Sequence, residues 1–110
     1  MSYIIHITST AERDIMRVAD YIEFTLKNPT AADHLLDVAT KQINSLADMP
    51  QKFRLEDDPV LASWEIRHVI VNNYLAFYTI DEEKQMVIVV RFLYQKSNWN
   101  TILRQGFSLT

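Results

Sequence analysis

The chain has 110 residues, 48% of them apolar, with no cysteine and a formal charge of −3. That length suits one domain, residues 1–110, able to bury roughly 65% of its unfolded surface without staples. The absence of cysteine excludes a disulfide framework and a thiolate metal site. The apolar content argues against disorder, and the acidic balance argues against a whole-molecule field that gathers nucleic acid.

The opening "MSYIIHITSTAERD" has no basic leader. Its apolar run, broken by His6, is too short for a signal peptide or a membrane span. The expectation is a soluble, cytoplasmic protein with no membrane partner. "YIIHIT" (Tyr3 to Thr8) reads as a short, largely buried strand of β-branched and aromatic residues. A first helix follows, from near Ser9 to near Lys27. Ser9 and Glu12 have the spacing of a capping box. Ala11, Ile15, Val18, Ala19, Ile22 and Leu26 share one face, while Arg13, Arg17, Asp20 and Lys27 lie mostly on the other. Asn28 is suited to cap a second helix and Pro29 to open it. Its stripe is Ala32, Leu35, Leu36, Ala39, Ile43 and Leu46, and Pro50 ends it. The short connection predicts an antiparallel helical hairpin.

"QKFRLEDDPVLAS" (Gln51 to Ser63) reads as a loop with a little extended structure. Three strands follow as a meander. "WEIRHVIV" and "YLAFYTI" are joined by a two-residue turn at Asn72-Asn73. "MVIVVRFLY" is the most apolar and is expected in the sheet interior. Trp99 to Leu103 form a short terminal helix. The order β-α-α-β-β-β predicts an α+β fold of two layers, a helical hairpin packed on one face of a mostly antiparallel sheet. The other face is left open in this reading, and is where a partner or substrate would bind. The turn at Asn72-Asn73 sets Arg67 opposite Tyr78, on the face of Val69, Val71, Tyr74, Ala76 and Ile80. The alternate face carries Ile66, His68, Ile70, Leu75, Phe77 and Thr79. Both are apolar, so the pattern leaves open which one the helices cover.

No acidic residue follows Glu83, whereas Lys84, Arg91, Lys96 and Arg104 do. Within "RFLYQKSNWNTIL", Tyr94, Lys96, Asn98 and Trp99 combine bases, amides and aromatics, a mix that stacks on nucleobases or anchors a protein interface. Trp99 serves equally to pack the terminal helix. Arg91 interrupts an apolar run and must reach solvent or pair with a carboxylate. Arg67, if it faces the helices, is expected to pair with Asp14 or Glu12. His6, His34 and His68 have no metal spacing, and Lys52 and Arg54 read as loop surface. No phosphate loop, carboxylate pair or metal cluster is present in the pattern, so no cofactor is expected.

The order of elements, the "NNYLAFYTID" hairpin and the "VVRFLYQKSNW" ending resemble the RelE/ParE family of toxins from bacterial type II toxin–antitoxin systems. "TAERDI", "NPTAA", Arg67, Tyr74 and Tyr78 extend the resemblance over almost the whole chain. It implies a cognate antitoxin as partner in a hetero-oligomer, while a homodimer would equally cover the exposed sheet face and edge. It also implies one of two activities: messenger-RNA cleavage in the ribosomal decoding site, or a block of DNA gyrase. RelE-like cleavage needs bases crowded at one place. Here Glu65 stands near Arg67, Leu75 follows Tyr74 where RelE-like enzymes carry arginine, and Lys96 is the only base in "YQKSNW". Relatives often have histidine and paired arginines there; this chain has Tyr94 and Ser97. The depleted set favours the ParE-like, non-enzymatic branch, with Lys96, Tyr94, Trp99 and Arg67 as partner-binding residues. The alternatives are a ribosome-dependent endoribonuclease using Arg67, Arg91, Lys96 and Tyr94, or an inactive relative kept as a partner-binding module.

Overall fold

A computed structural model describes residues 2–110. Strand β1 (Ile4–Ile7) leads into helix α1 (Ser9–Asp20), which widens into a π-helical turn at Tyr21–Thr25. Helix α2 (Pro29–Asn44) follows, then single 3-10 turns at Ser45–Ala47 and Pro50–Lys52, and a short helix α3 (Pro59–Ser63). Strands β2 (Arg67–Val71), β3 (Tyr74–Asp81) and β4 (Met86–Tyr94) form the meander, and helix α4 (Trp99–Arg104) comes last. The sheet order is β1-β4-β3-β2. β1 runs parallel to β4 and the other pairs are antiparallel. β4 therefore lies inside the sheet, as its continuous apolar run predicts.

Local signals account for most of the boundaries. Thr8, rather than Ser9, caps α1: its Oγ1 accepts the Ala11 amide at 3.2 Å. The backbone amide of Thr8 continues the β1–β4 ladder by donating to the Val89 carbonyl at 3.1 Å. The cap is thus set by where the strand pairing ends, which moves it one residue ahead of the box expected at Ser9 and Glu12. The π-helical turn closes with the Leu26 amide on the Tyr21 carbonyl at 3.0 Å. Wider than an α-turn, it rotates Leu26 off the core stripe, leaving it 56% exposed. Asn28 caps α2 by accepting the Ala31 amide at 3.1 Å, with Pro29 in the first turn. α2 stops at Asn44, short of Pro50, which opens its own 3-10 turn. The hairpin register is as expected, with Arg67 opposite Tyr78 and Val71 opposite Tyr74. Of the two turn residues only Asn72 takes a positive φ, 53°.

The helices cover the face carrying Val69, Val71, Ala76, Tyr78, Val87, Val89 and Phe92, packed with Ala11, Ile15, Leu35, Ala39, Ile43 and Leu46. The opposite face is not open, contrary to the expectation of a bare docking surface there. Phe77, Leu75, Ile88, Val90 and Leu93 pack there against Leu61 of α3 and Leu103 of α4, with Trp99, Ile102 and Phe107 alongside. Beyond α4 the chain crosses this face. The Phe107 ring meets Trp64 edge-on at 5.8 Å, and the Thr110 oxygen accepts from His6 Nε2 at 3.3 Å. Arg104 on α4 is paired with Asp58, the cap of α3, at 2.7 Å. Short segments thus make a third layer where a docking face was expected. Their apolar residues are few, but Leu61 and Leu103 are wholly buried.

Two outcomes test this packing. Leu103→Ala is expected to cost about 3 kcal/mol, the usual penalty for a large cavity in a core, measured by urea unfolding; an open face would make it nearly neutral. Tyr78 is wholly buried and donates to the Pro50 carbonyl at 2.6 Å. Burial pushes its phenol up to about 12, against a smaller opposing pull from the Arg67 guanidinium. The folded value lies above the unfolded one of about 10. The stability it contributes is therefore complete below pH about 10 and is lost as pH rises through about 12. Tyr78→Phe is expected to flatten this alkaline slope in unfolding measured against pH.

Candidate functional site

The end of β4 is the place where exposed polar and aromatic side chains converge. Tyr74 and Tyr94 face one another across the β3–β4 pair, with ring centroids 5.7 Å apart. On its other side Tyr74 stacks on Phe92 at 5.3 Å, the planes 14° apart. Tyr74 is half-buried while Tyr94 is 45% exposed. Burial, and to a lesser extent the neighbouring Tyr94 and Tyr21, raise the Tyr74 phenol above its ordinary range. Tyr21, in the π-helical turn after α1, is thus brought near the cluster and is itself exposed.

A tight turn follows Tyr94. The Gln95 amide donates to the Asn73 carbonyl at 2.8 Å, and the Ser97 amide to the Tyr94 carbonyl at 2.9 Å. The Ser97 hydroxyl donates to that same carbonyl at 2.6 Å. Lys96 is held at the apex of this turn, exposed, and is not among the ion pairs of the described residues. A cation on a hydrogen-bonded turn that follows Tyr94 can meet a carboxylate or phosphate while the tyrosine rings meet an apolar or planar group.

The other candidates are placed elsewhere or engaged. Arg91 makes two bonds to the Asp14 carboxylate on α1, Nε at 2.7 Å and a terminal nitrogen at 3.1 Å. The sequence required Arg91 to reach solvent or find a carboxylate, and it finds this one; the partner expected for Arg67 is therefore taken by Arg91. Arg67 instead donates to the backbone carbonyls of Phe53 and Gln51, holding the loop after Pro50 to the sheet. It lies opposite Tyr78, four residues along β3 from Tyr74, roughly 13 Å away at the rise of a strand. Trp99 turns inward against Phe77 at 5.1 Å and packs α4 onto the sheet. His68 is bonded to the buried carboxylate of Glu56 and sets its ring edge-on to Phe77 at 5.7 Å. Of the residues singled out from sequence, Tyr94 and Lys96 share the corner with Tyr74. Tyr21 was missed, and nothing in its local pattern distinguishes it from a solvent-facing helix residue. Among the described residues no group of three or more His, Cys, Asp or Glu is arranged to hold a metal ion. No helix among them is long and apolar enough to cross a membrane.

The family model described as ParE toxin of type II toxin–antitoxin system, parDE, matches residues 5–99. No curated protein matches the sequence significantly. Among solved structures, the fold is similar to that of a chain in the toxin–antitoxin complex RelBE2 from Mycobacterium tuberculosis. That likeness has a TM-score of 0.59 at 20% identity, covering 86% of this chain and 99% of that one. It is also similar to a chain of the chromosomal ParDE system from P. aeruginosa, with a TM-score of 0.69 at 14% identity over 84% of this chain and 96% of that one. At such identities the structural likeness speaks for the fold alone.

Stability should separate the free base from the engaged one. Lys96→Ala is expected to change the unfolding free energy by less than about 0.5 kcal/mol, as for a surface residue. Arg91→Ala strands the Asp14 carboxylate and is expected to cost about 2–3 kcal/mol, below the range for a fully buried pair because Arg91 keeps 21% exposure. Equal losses in urea unfolding would contradict this division of roles.

Proposed function

Since this chain belongs to the ParE toxin family of type II toxin–antitoxin systems, we propose that it arrests growth by binding DNA gyrase and that a cognate antitoxin neutralises it. The observation that carries this reading is the fate of the bases. Arg91 is neutralised by Asp14 and Arg67 is bound to loop carbonyls, so Lys96 is the one candidate base left free beside Tyr94. Cleavage of RNA through a ribose 2′-hydroxyl needs a group to take a proton, a group to return one, and positive charge on the phosphate. One lysine and a pair of tyrosines supply a poor set for that chemistry and a good one for adhesion. Exposed tyrosines with a neighbouring cation are typical anchors of protein interfaces.

The runner-up is ribosome-dependent cleavage of messenger RNA. Its support is Tyr74, stacked on Phe92, with the tilted ring of Tyr94 alongside and Lys96 on the turn that follows, a set that also suits a nucleobase and its phosphate. In either reading the antitoxin need not lie on the second sheet face, which α3, α4 and the residues after them already occupy.

Purified protein added to a gyrase supercoiling assay is expected to inhibit it and to raise the yield of cleaved DNA. Lys96→Ala and Tyr94→Ala are expected to raise the concentration required at least about tenfold, the loss typical of an interface anchor. Codon-phased cuts in messenger RNA on induced expression, with gyrase unaffected, would transfer the assignment to the nuclease reading. Co-expression of the antitoxin is expected to restore growth.

A further inference from the structure

Strand β4 changes face partway along its length. Val87 and Val89 point to the helical side, and Ile88 and Val90 to the other. Regular alternation would send Phe92 and Tyr94 to the side of Val90, with Leu93 opposite. The reverse is observed: Phe92 lies in the helical core and Leu93 in the second core. The pairing explains the reversal. Phe77 pairs with Arg91 and Tyr78 with Val89, so Val90 is an extra residue with no partner on β3. This is a β-bulge, which adds one residue to one strand and re-aims everything after it.

The bulge coincides with the end of another support. β1 follows β4 only as far as the Ile7–Val89 pair, after which the chain turns into α1. Beyond the bonds of Thr8 to the Val89 and Val90 carbonyls, Asp14 on α1 takes over the contact with β4. Its Oδ2 accepts the backbone amide of Phe92 at 3.0 Å and Arg91 Nε at 2.7 Å, while Oδ1 accepts a second Arg91 nitrogen at 3.1 Å. The carboxylate is buried, 6% exposed. A buried charge with three donors on it, one from the backbone just past the bulge, is costly unless the bulge presents those donors together.

We propose that Asp14 is a positioning residue, whose carboxylate holds the β4 bulge and so fixes Tyr94 and the Lys96 turn on the helical side of the sheet. Without the extra residue, Tyr94 would leave Tyr74 and face the second core, and the following turn would be carried with it. A one-residue slip reverses every side chain beyond it. The placement of the corner is therefore decided from α1, not by the residues of the corner itself. The functional arm of this inference rests on the gyrase-binding reading; the structural arm does not.

The structural arm is read by NMR on the whole chain. In the wild type, contacts between the Tyr74 and Tyr94 rings and slow exchange of the Phe92 amide are expected. Asp14→Ala is expected to abolish the ring contacts and to speed that exchange by about 10- to 100-fold, the factor for losing a hydrogen bond to a charged group. Asp14→Asn keeps an oxygen for the Phe92 amide but loses the ion pair, and is expected to retain the ring contacts. That variant keeps the test open if Asp14→Ala does not fold. Persistence of the Tyr74–Tyr94 contacts in Asp14→Ala, or their loss in folded Asp14→Asn, would overturn the proposal. The functional arm compares Asp14→Ala with Leu35→Ala, a core change expected to lower the melting temperature to a similar extent. Gyrase inhibition is expected to survive Leu35→Ala and to fall at least about tenfold in Asp14→Ala. Equal losses in both would assign Asp14 to stability alone. If the wild type does not inhibit gyrase, the functional reading fails while the NMR result still judges the position of Tyr94.

Discussion

Strand β4 is the constraint against which the other elements are set. It is paired along both edges, to β1 and to β3, and packed on both faces, by α1 and α2 on one side and by α3 and α4 on the other. A strand in that position has no solvent-facing row on which to place a charge. Its one arginine must therefore be met from another element, and Asp14 meets it. Burying this pair is not by itself a source of stability. Its effect is specificity, because the same carboxylate also takes the Phe92 amide and so admits one arrangement of the strand end.

The helical layer was legible in the sequence because its signals are local and repeated. Ala32, Leu35, Ala39, Ile43 and Leu46 recur at helical spacing and all are buried. Asn28 and Pro29 stand at the start of α2 as capping chemistry requires. The register of β2 and β3 followed from two asparagines at the turn. Of the third layer the terminal helix at Trp99 to Leu103 was legible, but its cover of the second face and α3 were not, for the opposite reason. α3 has five residues and α4 six, too short to show a period, and the chain after α4 packs through one ring, Phe107, against Trp64. A signal for α3 did exist. Asp58 followed by Pro59 is a cap and a first helical residue, and the Asp58 carboxylate accepts the Val60 and Leu61 amides at 2.9 and 3.3 Å.

The corner was legible in part. Tyr94 ends the last strand pattern and Lys96 lies in the turn between it and a helix, so the exposure of both is what the end of a strand would give them. The fate of Arg91 was only half readable: an arginine within an apolar run needs a carboxylate, but its partner lies 77 residues earlier. Arg67 was assigned the correct face and the wrong partner, since a guanidinium satisfies itself with carbonyls as readily as with acids. The direction of Tyr94 was hidden more deeply, because the bulge that sets it involves apolar residues that read alike on either side, Val89 and Val90.

The parallel pairing of β1 with β4 also orders events in time. β1 precedes the other strands in the chain, yet its partner in the sheet follows only after α1, α2, α3, β2 and β3. Contacts so distant in sequence close slowly and late. Until then α1 has no sheet edge to lie along, Asp14 has no guanidinium, and the strands made so far keep an unpaired edge. A chain in which β4 is not yet in place therefore lacks the surface at Tyr94 and Lys96, and acquires it in the step that also completes the sheet. For a toxin of a toxin–antitoxin system, the fold itself ties the hazard to the closing of the sheet.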